Sequence, residues 1–230
     1  GAPVAPDSAM SDGDGEDRPA EDGERYPSLG LARGTVGLAV HDPRWHEAYE
    51  REVERLRPRL YADNESGGDA DGDDGGNGGD GCDGGEGVRF EHVGSTAVPG
   101  LAAKPIVDLL VLVSDLDDAE GVARALEAAG YEERPDDDVP DRRFFVRGPP
   151  ERRTHYLSVT EVGSDCHREQ VTFRDALRAD GDLAAEYERH KRRLAEAHPD
   201  ERSQYTNAKA SFVESVLDDA ASWEDDDSLV

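Results

Sequence analysis

The chain has 230 residues, 54 of them Asp or Glu and 26 Lys or Arg, for a formal net charge of −28 at pH 7. Only 35% are hydrophobic, a low share for a compact domain, so part of the chain is expected to lie outside any core. The charge disfavours non-specific binding to nucleic acid or an anionic membrane, and no apolar run is long enough to span a bilayer; with no leader-like start, the expectation is a cytoplasmic protein in which Cys82 and Cys166 are free thiols.

Residues 1–35 hold eight acids and three arginines among Gly and Pro and read as a disordered acidic arm. Asp42 can cap a helix whose first turn carries Pro43. Trp45, Ala48, Tyr49, Val53 and Leu56 then recur at helical spacing as core contacts, and the pattern fades near Pro58. Residues 62–87 hold nine acids, no base and eleven glycines. Gly75 to Asp80 fits one calcium-binding nonapeptide, but that architecture needs stacked copies. Asp69, Asp71 and Asp73 mimic an EF-hand start, but Asp74 stands where Gly is needed and Asp80 where Glu is needed. A disordered Gly/Asp insert is therefore the preferred reading.

Strands are expected over 88–93 and 105–113, the second apolar except for Asp108. A helix over 115–129 closes at Gly130. Strands over 143–147 and 154–162 follow, then helices over 165–179, 182–197 and 201–220. Residues 218–230 form an acidic tail with Trp223 outside the core. The order predicts one α+β domain over 36–217, a mixed sheet with helices packed against it and a C-terminal helical segment, interrupted by the insert.

Several residues admit two readings. Gly94-Ser95 can cradle a phosphate or make a tight exit turn. Asp108 can hold a metal or sit as a partnered buried acid. His92 can be a ligand or a satisfied strand histidine. Arg142, Arg143, Arg152 and Arg153 can meet an anion or pair with nearby acids. The helix bearing Lys191, Arg192 and Arg193 reads as a solvated face; Lys209 can approach the phosphate site from the last helix or pair an acid, the second being preferred. Lys104, Lys191 and Lys209 are the only lysines, against 23 arginines. This acid-rich, lysine-poor composition resembles proteins of salt-adapted organisms.

The stretch Glu91-His92-Val93-Gly94-Ser95-Thr96-Ala97-Val98-Pro99-Gly100-Leu101-Ala102-Ala103-Lys104-Pro105-Ile106-Val107-Asp108 closely resembles the signature of the GrpB family. Asp42 to Trp45, Gly130-Tyr131, Asp141 to Phe145, Arg153 to His155, Phe173 to Asp175, His198-Pro199 and Tyr205 to Lys209 match in the same order. The resemblance covers 40–220 apart from the insert. It implies a nucleotidyltransferase-like fold, with a Gly-Ser turn followed by strand acids that hold Mg²⁺. Residue by residue, it implies that Gly94, Ser95, Thr96, Lys104, Arg143 and Arg153 bind a nucleotide or other phosphate-containing small molecule. It further implies that Asp108 binds Mg²⁺ and that Asp108 and His155 are catalytic. The departure is Leu110, which stands where a second acid belongs. The alternative is a non-catalytic ligand-binding or regulatory domain, with a link to coenzyme A metabolism. The oligomeric state stays open.

If salt adaptation is right, dense carboxylates need screening. The melting temperature is then expected to rise from dilute to molar KCl; an unchanged value in a scanning calorimeter would count against it.

Overall fold

The computed structural model describes residues 25–62, 88–137 and 139–227. In chain order these form α1 (Arg44–Ala62), β1 (Arg89–Val93), β2 (Val107–Val113), α2 (Glu120–Ala128), β3 (Tyr131–Glu133), β4 (Arg142–Arg147), β5 (His155–Glu161), α3 (Asp165–Ala179), α4 (Gly181–Ala197) and α5 (Arg202–Asp227), with a short 3-10 turn at Ser95–Ala97. The strands make one five-stranded sheet in the order β1-β2-β5-β4-β3. β2 and β5 are parallel, and the other neighbouring pairs are antiparallel. The mixed sheet and C-terminal helices are those expected. So are the Gly-Ser turn leaving the first strand and the acid near the start of the second.

Strand residues alternate between faces. Val107, Leu109 and Val111 of β2, with Leu157 and Val159 of β5, face the main core built by Trp45, Leu56 and Leu60 of α1 and Ala123 and Leu126 of α2. Asp108, Leu110 and Leu112 therefore face the other way. Leu110 and Leu112 pack there with Val93 and with Val171 of α3. Above them, Leu177 of α3 and Tyr187 of α4 form a further cluster with Phe212 of α5. Leu110 is thus core under α3, which is the physical reason that no acid stands there.

Several boundaries differ from the sequence reading. α1 runs through Pro58 to Ala62, because Leu60 is buried in the main core. α2 begins only at Glu120: the Asp115 side chain accepts from the Asp117 N–H, and the Leu116 N–H donates to Glu161, which hold the preceding residues in turns. β3 was not expected, since three residues carry no readable periodicity. The predicted disorder of 1–35 does not extend over its last part. Tyr26 and Leu29 are buried in the main core, and Leu31 bridges Arg153. The acidic tail continues α5 as helix to Asp227. Residues 1–24, the insert with Cys82 and its calcium reading, and the Trp223 side chain lie outside what is described. Cys166 is a buried free thiol.

One buried acid gathers four separate segments. Glu52 of α1 is 0% exposed. It accepts the hydroxyls of Tyr26 (2.5 Å) and Tyr131 (2.8 Å) and the guanidinium groups of Arg147 (2.7 Å) and Arg55 (2.5 and 3.0 Å). Burial opposes its charge, but the Arg55 hydrogen bonds and the charges of His155, Arg147 and Arg55 outweigh that and hold the carboxyl well below the usual range. Its contribution is fully present above the ordinary value of 4.5 and fades as pH falls toward the depressed one. Glu52→Ala removes the shared acceptor of Arg55, Arg147 and two tyrosines and is expected to cost about 3–5 kcal/mol. Urea unfolding at pH 7 checks this, and a loss under about 1 kcal/mol would refute it.

Candidate functional site

The β1–β2 register sets Val93 against Asp108, so the turn after β1 meets the Asp108 carboxylate. Gly94 has φ 70° and ψ −173°, a region essentially confined to glycine. A Cβ there would lie 2.6 Å from Asp108 Oδ2. The helices then hold the turn and the following loop by their polar atoms. Arg178 of α3 donates twice to the Ala97 carbonyl (2.7 and 3.0 Å). On α4, Glu188 accepts the Ala102 N–H (2.9 Å), while Lys191 Nζ donates to the Ala102 carbonyl (2.5 Å) and to Ser95 Oγ (3.1 Å).

A cavity of about 350 Å³ opens at this junction. The turn contributes Gly94, Ser95 and Thr96; the sheet contributes Asp108, Arg142, Phe144, Tyr156 and Ser158. Lys104 of the loop, Gln170 of α3, Lys191 of α4, and Tyr205, Thr206 and Lys209 of α5 also line it. All three lysines of the chain therefore meet at one cavity, and among the described residues Asp108 is the one carboxylate lining it. Lys104 and Lys209 lie 4.5 and 5.0 Å from the Tyr205 ring centre, and Lys191 lies 4.7 Å from that of Tyr187. Arg142 sits over Phe144 at 4.7 Å and pairs with Asp137 at 2.6 Å. Burial, and then Lys209, Arg192 and Lys104, push the Lys191 ammonium down to about 7 against the pull of Glu188. Burial holds Tyr187, in contact with Ser95, up at about 12.

Gly94, Ser95, Thr96, Lys104 and Asp108, all singled out in the sequence, are brought together here. Three others are not. Arg143 adjoins Arg142 in β4 but points to the opposite face, where it pairs with Glu133 (2.7 Å) and Glu120 (2.9 Å). Arg153 lies beside the cavity and donates to the Gly148 carbonyl (2.6 Å) and Glu132 (2.9 Å). His155 shares β5 with Tyr156 but faces the main core; its Nδ1 is 2.9 Å from Thr154 Oγ1 and its ring meets Tyr26 edge-on at 4.6 Å. His92 also lies across the sheet, stacked on Tyr49, with Nε2 3.1 Å from Thr96 Oγ1. Burial, and then His46, push it down to about 3, so it is a neutral support for Thr96 at pH 7. Lys191 is buried rather than solvated. Gln170, Lys191 and Tyr205 are lining residues that reading by local pattern missed, whereas Arg142 and Lys209, for which contact with an anion was one of two readings, do line the cavity.

The donor set does not fit the Mg²⁺ centre that the resemblance implied. Asp108 has no second acid beside it among the described residues of the lining, and three lysines share its cavity. Among the described residues, no group of three or more His, Cys, Asp or Glu side chains could hold a metal ion. Among them too, no helix is long and apolar enough to cross a membrane.

The family model described as GrpB protein matches residues 35–219. The chain belongs to the GrpB family. Within it, the UPF0157 protein SCO7215 of Streptomyces coelicolor is 39% identical over 178 residues, 77% of this chain and 80% of that protein. The UPF0157 protein YqkA of Bacillus subtilis is 29% identical over 82% of this chain but only 48% of its own length, so this GrpB chain spans about half of that relative. The crystal structure of conserved protein GrpB from Enterococcus faecalis superposes with a TM-score of 0.63 at 28% identity, over 80% of this chain and 96% of that one.

Gly94→Ala must displace Asp108 and hold alanine in a glycine-only conformation. It is expected to cost about 1–3 kcal/mol in chemical unfolding. A variant as stable as the parent would show that turn and acid are not in contact.

Proposed function

We propose that this GrpB-family chain binds a phosphate-bearing small molecule, a nucleotide being the first candidate, in the cavity beside the Gly94-Ser95 turn. The observation that carries this reading is the meeting of Lys104, Lys191 and Lys209 on one cavity of a chain whose net charge is −28. An anion there gains from several cations at short range, and charge-assisted hydrogen bonds are stronger in a partly enclosed site than in water. The Gly94-Ser95 turn lets a phosphate oxygen approach the backbone closely. Arg142, whose Nε and Nη2 are held by Asp137, adds a further positive charge to the wall. Asp108 repels the anionic end and accepts from a ligand hydroxyl or amine, which orients the molecule. Tyr156 and Phe144, 5.6 Å apart, offer an aromatic wall for a base.

The chemistry that these residues support is binding and orientation. Metal-assisted nucleotidyl transfer needs more carboxylates than Asp108 alone provides, so the reading is a ligand-binding domain whose affinity does not depend on Mg²⁺.

Thermal shift with ATP, GTP, coenzyme A and inorganic phosphate, each with and without Mg²⁺, tests this. A ligand at a hundred times its Kd adds about 2.7 kcal/mol to stability. At least one phosphate compound is expected to raise the melting temperature without Mg²⁺, and Lys209→Gln to weaken it about tenfold, as for the loss of one charged hydrogen bond. No shift with any of them refutes the reading. A shift that needs Mg²⁺ and vanishes in Asp108→Asn would favour the transferase reading instead.

A further inference from the structure

An ammonium can shed its proton in an accessible pH range, whereas a guanidinium cannot. This chain uses 23 arginines and three lysines, yet all three lysines lie at one cavity. The most enclosed of these side chains is Lys191, 2% exposed. Its Nζ donates to the Ala102 carbonyl at 2.5 Å and to Ser95 Oγ at 3.1 Å. Both contacts survive a change of charge. The carbonyl accepts from an amine or an ammonium, and the Ser95 hydroxyl can accept from an ammonium or donate to an amine. The ammonium form carries a third N–H, directed neither to Ala102 nor to Ser95. That donor is suited to an anion in the cavity that Lys191 lines.

Burial first, and then the charges around it, favour the neutral amine of Lys191 while the cavity holds no anion. Lys209 on α5, Lys104 on the loop and Arg192 on its own helix repel its charge, and Glu188 on the same helix opposes them. Arg142 of β4 and Asp108 of β2 share the lining, as does the Tyr205 hydroxyl of α5, and the Tyr187 ring lies beneath the amine. A dianion reverses that balance, since it rewards each positive charge that faces it.

We propose that Lys191 is the proton-linked ligand of this site: its amine takes one proton from solvent as a dianionic phosphate group binds, and the resulting ammonium donates its third hydrogen to a phosphate oxygen. This rests on the phosphate-binding reading above and adds to it a ligand class, the phosphate dianion, and a direction of proton flow. Burial and the neighbouring cations push the Lys191 ammonium down to about 7, so the cost of charging it is small below that pH. Above it, affinity is expected to fall by up to about tenfold per pH unit, the slope for one linked proton. No arginine at this position could show that slope.

Two measurements on the full chain test the proposal. The first is calorimetric titration with inorganic phosphate and with sulfate at pH 6 and pH 8, each in two buffers of different ionisation enthalpy. Sulfate has no proton to exchange in this range, so uptake with sulfate belongs to the protein. Uptake of about one proton is expected at pH 8 and little at pH 6; Lys191→Met should abolish it, while Lys104→Gln weakens binding and leaves it in place. The second is a pH titration of lysine labelled with ¹³C at Cε, which gives three side-chain signals. The signal absent from Lys191→Met should titrate near neutrality and move up when sulfate is added; if that variant fails to fold, a single near-neutral signal that sulfate moves up serves in its place. Anion binding without proton uptake at pH 8, uptake that persists in Lys191→Met, or three lysines all titrating above pH 10 would each overturn the proposal while leaving the anion site standing. No binding of either anion would overturn both.

Discussion

The fold turns on a carboxylate placed where no water reaches it. Glu52 cannot stay charged in the core alone, and it is held by Tyr26, Arg55, Tyr131 and Arg147. Those partners come from the segment before α1, from α1 itself, and from the two strands at the far side of the sheet. Hydrogen bonds to a buried charge are directional and costly to leave unmade, so this network sets how α1 lies across the sheet. The apolar residues around it supply most of the burial but tolerate small shifts. With one face closed in this way, the opposite face is left for α3, α4 and α5.

On that opposite face, helix packing and site geometry are made by the same atoms. Glu188 and Lys191 grip the two polar groups of one residue, Ala102, and Arg178 grips Ala97. The loop between β1 and β2 is thereby shaped by helices nearly a hundred residues further along the chain. Cations that hold a loop in place also present their charge to the space beneath it. That is how a chain with 54 acids comes to enclose a cavity with one acid among the described residues of its lining.

Much of this was legible in the residues. Element order followed from period, caps and breakers, and Asp108 stood out as a lone charge in an apolar strand. The Gly-Ser turn was readable as a close approach, although its partner, the Asp108 carboxylate, was not. Two kinds of error had physical causes. Arg143 and His155 were one residue away from the cavity in sequence, but the period of two in a strand sends neighbours to opposite faces, so Arg142 and Tyr156 line it instead. Lys191 looked like a solvated helix charge, and for Lys209 an acid's partner was preferred over a phosphate ligand, because local pattern cannot see which face a third helix will cover. Tyr26 and Leu29 were lost in the average composition of the segment that contains them. The signal that would have found the two lysines is their scarcity, which is a property of the whole chain and not of any window along it.

That scarcity also makes the protein unusual as a chemical object. Most proteins scatter side-chain amines over their surface, and amine-directed reagents decorate them indiscriminately. Here every side-chain amine belongs to one cavity, two of the three flanking a single tyrosine ring. Acylating agents and amine crosslinkers would therefore act as site-directed probes without any engineering. Protection of Lys104 and Lys209 from them would report occupancy of the cavity that both line.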